Sequence, residues 1–215
     1  MRYSCVIFDL DGVLVFTDEY HYAAWKSIAD RLGIFFNENK NNRLRGVSRM
    51  ESLEIILEGA NRQFSDSEKT ILAEEKNELY KSLLGNLSPA SITQETIQTL
   101  ITLRDLGVRL AIGSSSKNAQ YILQKTKISH FFGAVASGVD ISRSKPDPEV
   151  FLLAAMRLKA KPIDCLVVED AHAGIEAAYN GGFDSAAIGD AYESKTATYR
   201  IVNISQVCDI VTSQA

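Results

Sequence analysis

Short apolar runs that end in small or acidic residues recur along the chain, and this recurrence restricts the possible folds more than any other feature. Cys5-Val6-Ile7-Phe8, Val108 to Ile112 and Leu166-Val167-Val168 are the clearest, with weaker runs at Ala134-Val135-Ala136 and Ala186-Ala187-Ile188. Their length and their flanking turn residues fit buried strands. Between them lie stretches with helical spacing, at Thr96 to Leu106, Ala119 to Lys125, Val150 to Leu158 and Ile175 to Tyr179. Strand and helix alternate, which predicts an α/β chain: a Rossmann-like parallel sheet with helices on both faces.

One interval breaks the alternation. From about Asp18 to about Asn86 only helical patterns occur, at Tyr20 to Leu32, Met50 to Glu58 and Ser65 to Leu84. The expected organisation is therefore a core of residues 1–17 and 87–215 with a small α-helical cap, residues 18–86, inserted after the first strand. Ser88-Pro89 fits the return crossing, because proline disfavours helix in the residue before it. The chain of 215 residues, 46% hydrophobic and 23% charged, has an ordinary globular composition. A formal net charge of -4 weighs against a general nucleic-acid binder, and no apolar stretch is long enough to span a membrane. Cys5, Cys165 and Cys208 lack the spacing of a disulfide framework or zinc site and read as reduced thiols. With a strand-like run directly after Met1-Arg2-Tyr3 and no leader pattern, the expected setting is cytoplasmic.

In a parallel sheet, ligands sit beyond the carboxyl ends of the strands. Asp9-Leu10-Asp11-Gly12 follows the first run, Ser114-Ser115-Ser116-Lys117-Asn118 the second, and Glu169-Asp170 the fourth, while Ser144-Lys145-Pro146-Asp147 precedes a helix. Alone, the first cluster fits a turn-capping aspartate closed by a glycine as well as a catalytic site. Together, four carboxylates at neighbouring strand ends repel one another unless a cation lies among them, which points to a hard divalent ion, Mg2+ first. Ser114 and Ser115, leading into a helix that starts near Lys117, offer a hydroxyl and amide cradle for an anion. Lys145 can reach the same cleft, and the combination suits phosphoryl transfer.

These motifs, in this order, resemble the haloacid dehalogenase superfamily of phosphohydrolases and phosphomutases over essentially the whole chain. The segment after the first motif is similar to the small helical cap of its β-phosphoglucomutase group, through Glu19-Tyr20-His21, Ala24-Trp25-Lys26, Arg45-Gly46-Val47-Ser48-Arg49, Ser52-Leu53, Lys76-Asn77 and Ser88-Pro89-Ala90. The resemblance implies that Asp9 is the nucleophile, forming an aspartyl-phosphate, and that Asp11 is the general acid and base. Asp9, the backbone carbonyl of Asp11, Asp170 and Glu169 would hold Mg2+, and Ser114 and Lys145 the transferring phosphate. A second phosphate would rest on Arg49, Ser116 and Asn118, with His21 aligning the sugar. The remaining expected substrate contacts are Trp25, Arg45, Gly46, Val47, Ser52, Lys76, Ser115 and Lys117. Trp25 also fits the core of the cap, and His130 and His172 read as packed or surface residues.

The implied partner is a small phosphorylated sugar, handled by a monomer. The implied reaction interconverts β-glucose 1-phosphate and glucose 6-phosphate through a bisphosphate. Two positions depart from the superfamily pattern: Phe16 stands where an acidic residue is usual, and Arg45 where a lysine is. Both concern the hinge and sugar pocket, so a sugar-phosphate phosphatase using the same nucleophile stays open. A binding module without turnover is the third alternative, although no expected nucleophile, acid or metal carboxylate is missing.

Overall fold

Phe8, Val168 and Ile112 lie side by side at the centre of one sheet, and the computed structural model, which describes residues 1–213, is built outward from them. Six parallel strands run in the order β3-β2-β1-β4-β5-β6. They are β1 (Cys5–Phe8), β2 (Arg109–Gly113), β3 (Ala134–Ala136), β4 (Cys165–Glu169), β5 (Asp184–Ala187) and β6 (Tyr199–Arg200). Alternate residues enter different cores, as strand geometry requires. Val6 and Phe8 join one apolar cluster with helices α5 (Gln94–Asp105), α6 (Ala119–Thr126) and α9 (Gln206–Thr212). Cys5 and Ile7 join another with α7 (Glu149–Arg157) and α8 (His172–Asn180). Cys5 and Cys165 are buried free thiols, and Cys208 is a partly buried one.

The strand order reverses between β1 and β4, which makes the space beyond their carboxyl ends the crevice of the sheet. Over that crevice lies the segment between β1 and β2, which contains α1 (Asp18–Arg31), α2 (Glu38–Asn42), α3 (Arg49–Leu57) and α4 (Asp66–Leu84). These helices share an apolar cluster of their own around Trp25, Ile28, Phe36, Leu53, Ile56 and Leu72. α3 and α4 each begin with a capping box, Ser48 with Glu51 and Ser65 with Glu68.

Several sequence expectations shift. The fifth strand covers Asp184–Ala187 instead of Ala186 to Ile188. Helix α6 begins at Ala119, not near Lys117, because the Ser114 and Ser116 hydroxyls accept from the backbone N–H groups of Ser116 and Asn118 and hold that stretch in turns. α2, β6 and α9 were not expected. The α2 sequence is wholly polar and is nucleated by the Asn37 side chain, which accepts from Lys40 N–H. β6 pairs over two residues only. Among the described residues no helix is long and apolar enough to cross a membrane.

Candidate active site

Asp9 follows β1 directly, its N–H still bonded to the Val168 carbonyl at 2.9 Å, so the sheet itself fixes the direction of its side chain. Glu169 ends β4 and Asp170 follows it. One oxygen from each of Asp9, Glu169 and Asp170 falls within 4.8 Å of the others, and all three residues are buried. A positive φ of 92° at Gly12 turns the chain just beyond, and any side chain there would collide with the Asp170 carboxylate. Glycine is therefore needed at this turn.

The cation beside this group is Lys145, only 1% exposed, whose Nζ donates to Asp9 Oδ1 at 2.5 Å and to Glu169 Oε2 at 2.8 Å. Burial opposes its charge, but Asp9 and Glu169 outweigh burial and raise its pKa above the usual lysine value. One ammonium does not balance three buried carboxylates. Burial, then the charges of Glu169 and Asp9, push the Asp170 carboxyl up. A divalent cation ligated by oxygens relieves that imbalance, so this donor set fits a metal ion.

Asp11 has partners of its own. Its Oδ1 accepts from the Thr17 hydroxyl, and Tyr80 Oη lies 3.3 Å from Thr17 Oγ1 and 3.5 Å from Asp11 Oδ1. Burial and the charge of Asp9 push the Asp11 carboxyl up to about 7, against the bond from Thr17. Such a group can both give and take a proton near neutrality.

Opposite, on the helical segment, Lys76 is 2% exposed and its Nζ donates to His21 Nδ1 at 2.8 Å. The charged ammonium has no acceptor, so with Lys76 protonated Nδ1 accepts and a neutral His21 ring carries its proton on Nε2. Burial, then Lys76 and Arg49, hold His21 well below the usual histidine value, so it is neutral. Burial and Arg49 depress Lys76 to about 7. Its ammonium lies 4.8 Å from the Trp25 ring centroid and 4.5 Å from that of Tyr80.

At the far end, Asn77 Oδ1 accepts from Arg49 Nη2 at 2.8 Å and from Asn118 Nδ2 at 3.0 Å, tying the helical segment to the loop before α6. The Ser115 hydroxyl is buried without a protein partner among the described residues. It is a donor available to an anion.

All the residues expected to serve catalysis, substrate or metal line one cavity of about 250 Å³, including Gly46, Val47, Ser52 and Ser116, with Lys117 exposed at its rim, while Phe16 is exposed and lies outside that lining. Two of the lining residues are engaged by the protein itself. Trp25 is 2% exposed and packs in the helical cluster, as its fit to the core of the cap implied, while also lining the cavity. Arg45 pairs with Asp18 and Asp190, so its fork is already engaged by protein. Four residues the sequence reading had not marked as site residues also belong here: Thr17, Asn77, Tyr80 and Asp18. Tyr80 follows Lys76 at i, i+4 and Asn77 at i, i+3, a helical spacing present in the sequence.

A family model described as haloacid dehalogenase-like hydrolase matches residues 3–182. The chain belongs to this family. It is 40% identical over 188 residues to a β-phosphoglucomutase of Bacillus subtilis (strain 168), a match covering 86% of this chain and 83% of the relative. It is 31% identical over 185 residues to the fructose-1-phosphate phosphatase YqaB of Escherichia coli (strain K12), covering 86% and 95%. A crystal structure of the Clostridium difficile β-phosphoglucomutase superposes with a TM-score of 0.89 at 36% identity, covering 95% of this chain and 93% of that one. Within the family, then, this chain resembles both a mutase and a phosphatase, and the three buried carboxylates sit at the sheet while His21, Arg49 and Lys76 come from α1, α3 and α4.

Proposed function

We propose that this chain is a magnesium-dependent phosphomutase interconverting β-D-glucose 1-phosphate and D-glucose 6-phosphate through phosphorylated Asp9 and a glucose 1,6-bisphosphate intermediate. The observation that carries this reading is a cavity with an anion site at each end. Lys145 and Ser114 stand beside Asp9, while Arg49 stands by Asn118 and Ser116, linked through Asn77. A phosphatase needs only the first site. A bisphosphate that must turn end over end needs both. The 40% identity to a β-phosphoglucomutase supports the same choice.

In this reading a carboxylate oxygen of Asp9 attacks phosphorus, and the bond from phosphorus to the sugar oxygen breaks. Asp11, protonated, gives its proton to the departing sugar oxygen. In the complementary step Asp11 takes the proton of the 6-hydroxyl of β-glucose 1-phosphate, whose oxygen attacks the aspartyl-phosphate, giving glucose 1,6-bisphosphate and free Asp9; once the bisphosphate has turned, Asp9 attacks its 1-phosphate and glucose 6-phosphate leaves. Lys145 and the Ser114 hydroxyl hold the oxygens of the transferring phosphoryl group. His21, fixed by Lys76, aligns the sugar through its Nε2 proton, and the Arg49 fork grips the distal phosphate. Asp9, Glu169 and Asp170, with the Asp11 backbone carbonyl, would hold Mg2+. Bound there, the ion supplies neutralisation of the phosphoryl charge. Residues 18–86 act as the cap and residues 1–17 and 87–215 as the core. The cavity is complete within one chain, which supports action as a monomer, and unpaired cysteines support a cytoplasmic setting.

A second reading, a sugar-phosphate phosphatase with water as the acceptor, is favoured by the identity to the fructose-1-phosphate phosphatase. A coupled assay for glucose 6-phosphate from β-glucose 1-phosphate, with Mg2+ and catalytic bisphosphate, run beside a phosphate-release assay, separates the two. Glucose 6-phosphate forming far faster than free phosphate is expected. Rapid phosphate release without glucose 6-phosphate selects the phosphatase.

A further inference from the structure

Arg45 lies in the loop between α2 and α3, and its guanidinium spans two carboxylates that belong to different parts of the chain. One is Asp18, the first residue of α1. The other is Asp190, which follows β5 at the carboxyl end of the sheet and is 145 positions away in sequence. The next residue, Gly46, has φ 75°, and a Cβ there would stand 3.1 Å from Ala171 Cβ and 3.5 Å from Ala173 Cβ. The loop backbone therefore rests on the start of α8, immediately after the acidic group. Three residues further on, α3 opens with Arg49.

Besides the Tyr80 bonds to Thr17 and Asp11, two polar ties at the cavity fasten the helical segment to the sheet side. One tie runs from Arg49 through Asn77 to Asn118, and the other from Arg45 to Asp190. The second tie has the character of a reversible clasp. The side chains of Arg45, Asp18 and Asp190 are 26%, 40% and 54% exposed, and ion pairs at that exposure are individually weak. A deeply buried pair would hold too hard for a cavity that must admit and release a sugar at every turnover.

We propose that Asp190 is a positioning residue: by holding Arg45 it keeps the Arg45 to Arg49 loop seated on the sheet, so that the sugar, and not water, receives the phosphoryl group of Asp9. The proposal rests on the mutase reading above. It touches no reacting atom and adds no step. Its effect is on which acceptor reaches Asp9 and on how well Arg49 meets the distal phosphate.

Asp190→Asn and Asp190→Glu, assayed with Mg2+ for glucose 6-phosphate formation, for phosphate release and for hydrolysis of p-nitrophenyl phosphate, test it. In Asp190→Asn the KM for β-glucose 1-phosphate rises about three- to fivefold, the scale of one half-exposed ion pair. The share of phosphoryl groups lost to water rises alongside, p-nitrophenyl phosphate hydrolysis stays at the wild-type rate, and Asp190→Glu recovers most of the loss. Wild-type KM and water share in Asp190→Asn overturn the proposal. In unmutated protein, added KCl raises the water share, and a water share indifferent to KCl also overturns it, whether or not the variants fold. Absence of glucose 6-phosphate with the unmutated protein marks failure of the mutase reading instead; the KM contrast between the sugar phosphate and p-nitrophenyl phosphate then still decides the clasp.

Discussion

Lys145 and Lys76 are both buried, at 1% and 2% exposure, yet their surroundings push them in opposite directions. Lys145 sits between Asp9 and Glu169 and is held charged. Lys76 lies against His21 and two aromatic rings, and burial, then the charge of Arg49, depress it to about 7 from 10.5. The same substitution therefore has opposite consequences. Lys145→Met leaves two buried carboxylates without their cation and costs about 3–5 kcal/mol, read as a lowered melting temperature with loss of turnover. Lys76→Met removes a group that the folded state prefers to deprotonate. Between about 7 and 10.5 the unfolded chain binds more protons at Lys76 than the folded chain does, so stability rises with pH across that window and the full penalty applies below it. Lys76→Met is expected to raise the melting temperature at about pH 6, with a gain on the order of 2 kcal/mol smaller at about pH 9. His21 loses a donor at either pH, so the difference between the two survives. Equal shifts at both pH values would show that Lys76 is not depressed.

At the scale of elements, strand ends made much of the site legible and helix faces much less. The carboxyl-end rule leads from β1 to Asp9 and Asp11, from β4 to Glu169 and Asp170, and from β2 to Ser114, because a parallel sheet delivers those positions to one crevice. Asp190 follows β5 in the same way. It escaped notice because the run Ala186-Ala187-Ile188 is weak and the chain after it carries no recognisable cluster. Tyr80 was hidden for another reason: it meets Thr17 only when α4 crosses α1, a packing that periodicity does not encode. Asn77 is adjacent to Lys76 but earns its place through two partners, Arg49 and Asn118, that lie 28 and 41 positions away. Asn77→Ala frees the Arg49 fork and the Asn118 amide together. The expected result is about a tenfold fall in kcat/KM for the sugar phosphate, the cost of one or two lost polar contacts, with p-nitrophenyl phosphate hydrolysis unaltered. Equal falls for both substrates would place Asn77 in the general scaffold instead.

For the whole molecule, the acidic crevice is a cost carried by the fold in exchange for its chemistry. Asp9, Glu169 and Asp170 converge on one point at the switch of strand order, and Lys145 is the one ammonium bonded within the group among the described residues. A cation that binds only the folded arrangement must then stabilise the entire sheet, since the ligands come from its two central strands. At about a hundredfold excess over Kd that linkage is worth about 2.7 kcal/mol. For a chain of this size it corresponds to a melting-temperature rise of roughly 5–10 °C. Asp170→Asn reverses the order of the two states. Without Mg2+ the variant is expected to melt above the unmutated protein, because a repelling carboxylate has gone. With Mg2+ it is expected to melt below it, because a ligand has gone as well. Protons compete with the metal for the same oxygens, so the Mg2+ shift in the unmutated protein grows as pH rises from about 5 to about 8. Melting curves of both proteins with and without Mg2+ at those two pH values test the whole chain of reasoning, and curves for Asp170→Asn that never cross those of the unmutated protein would remove the metal from this crevice.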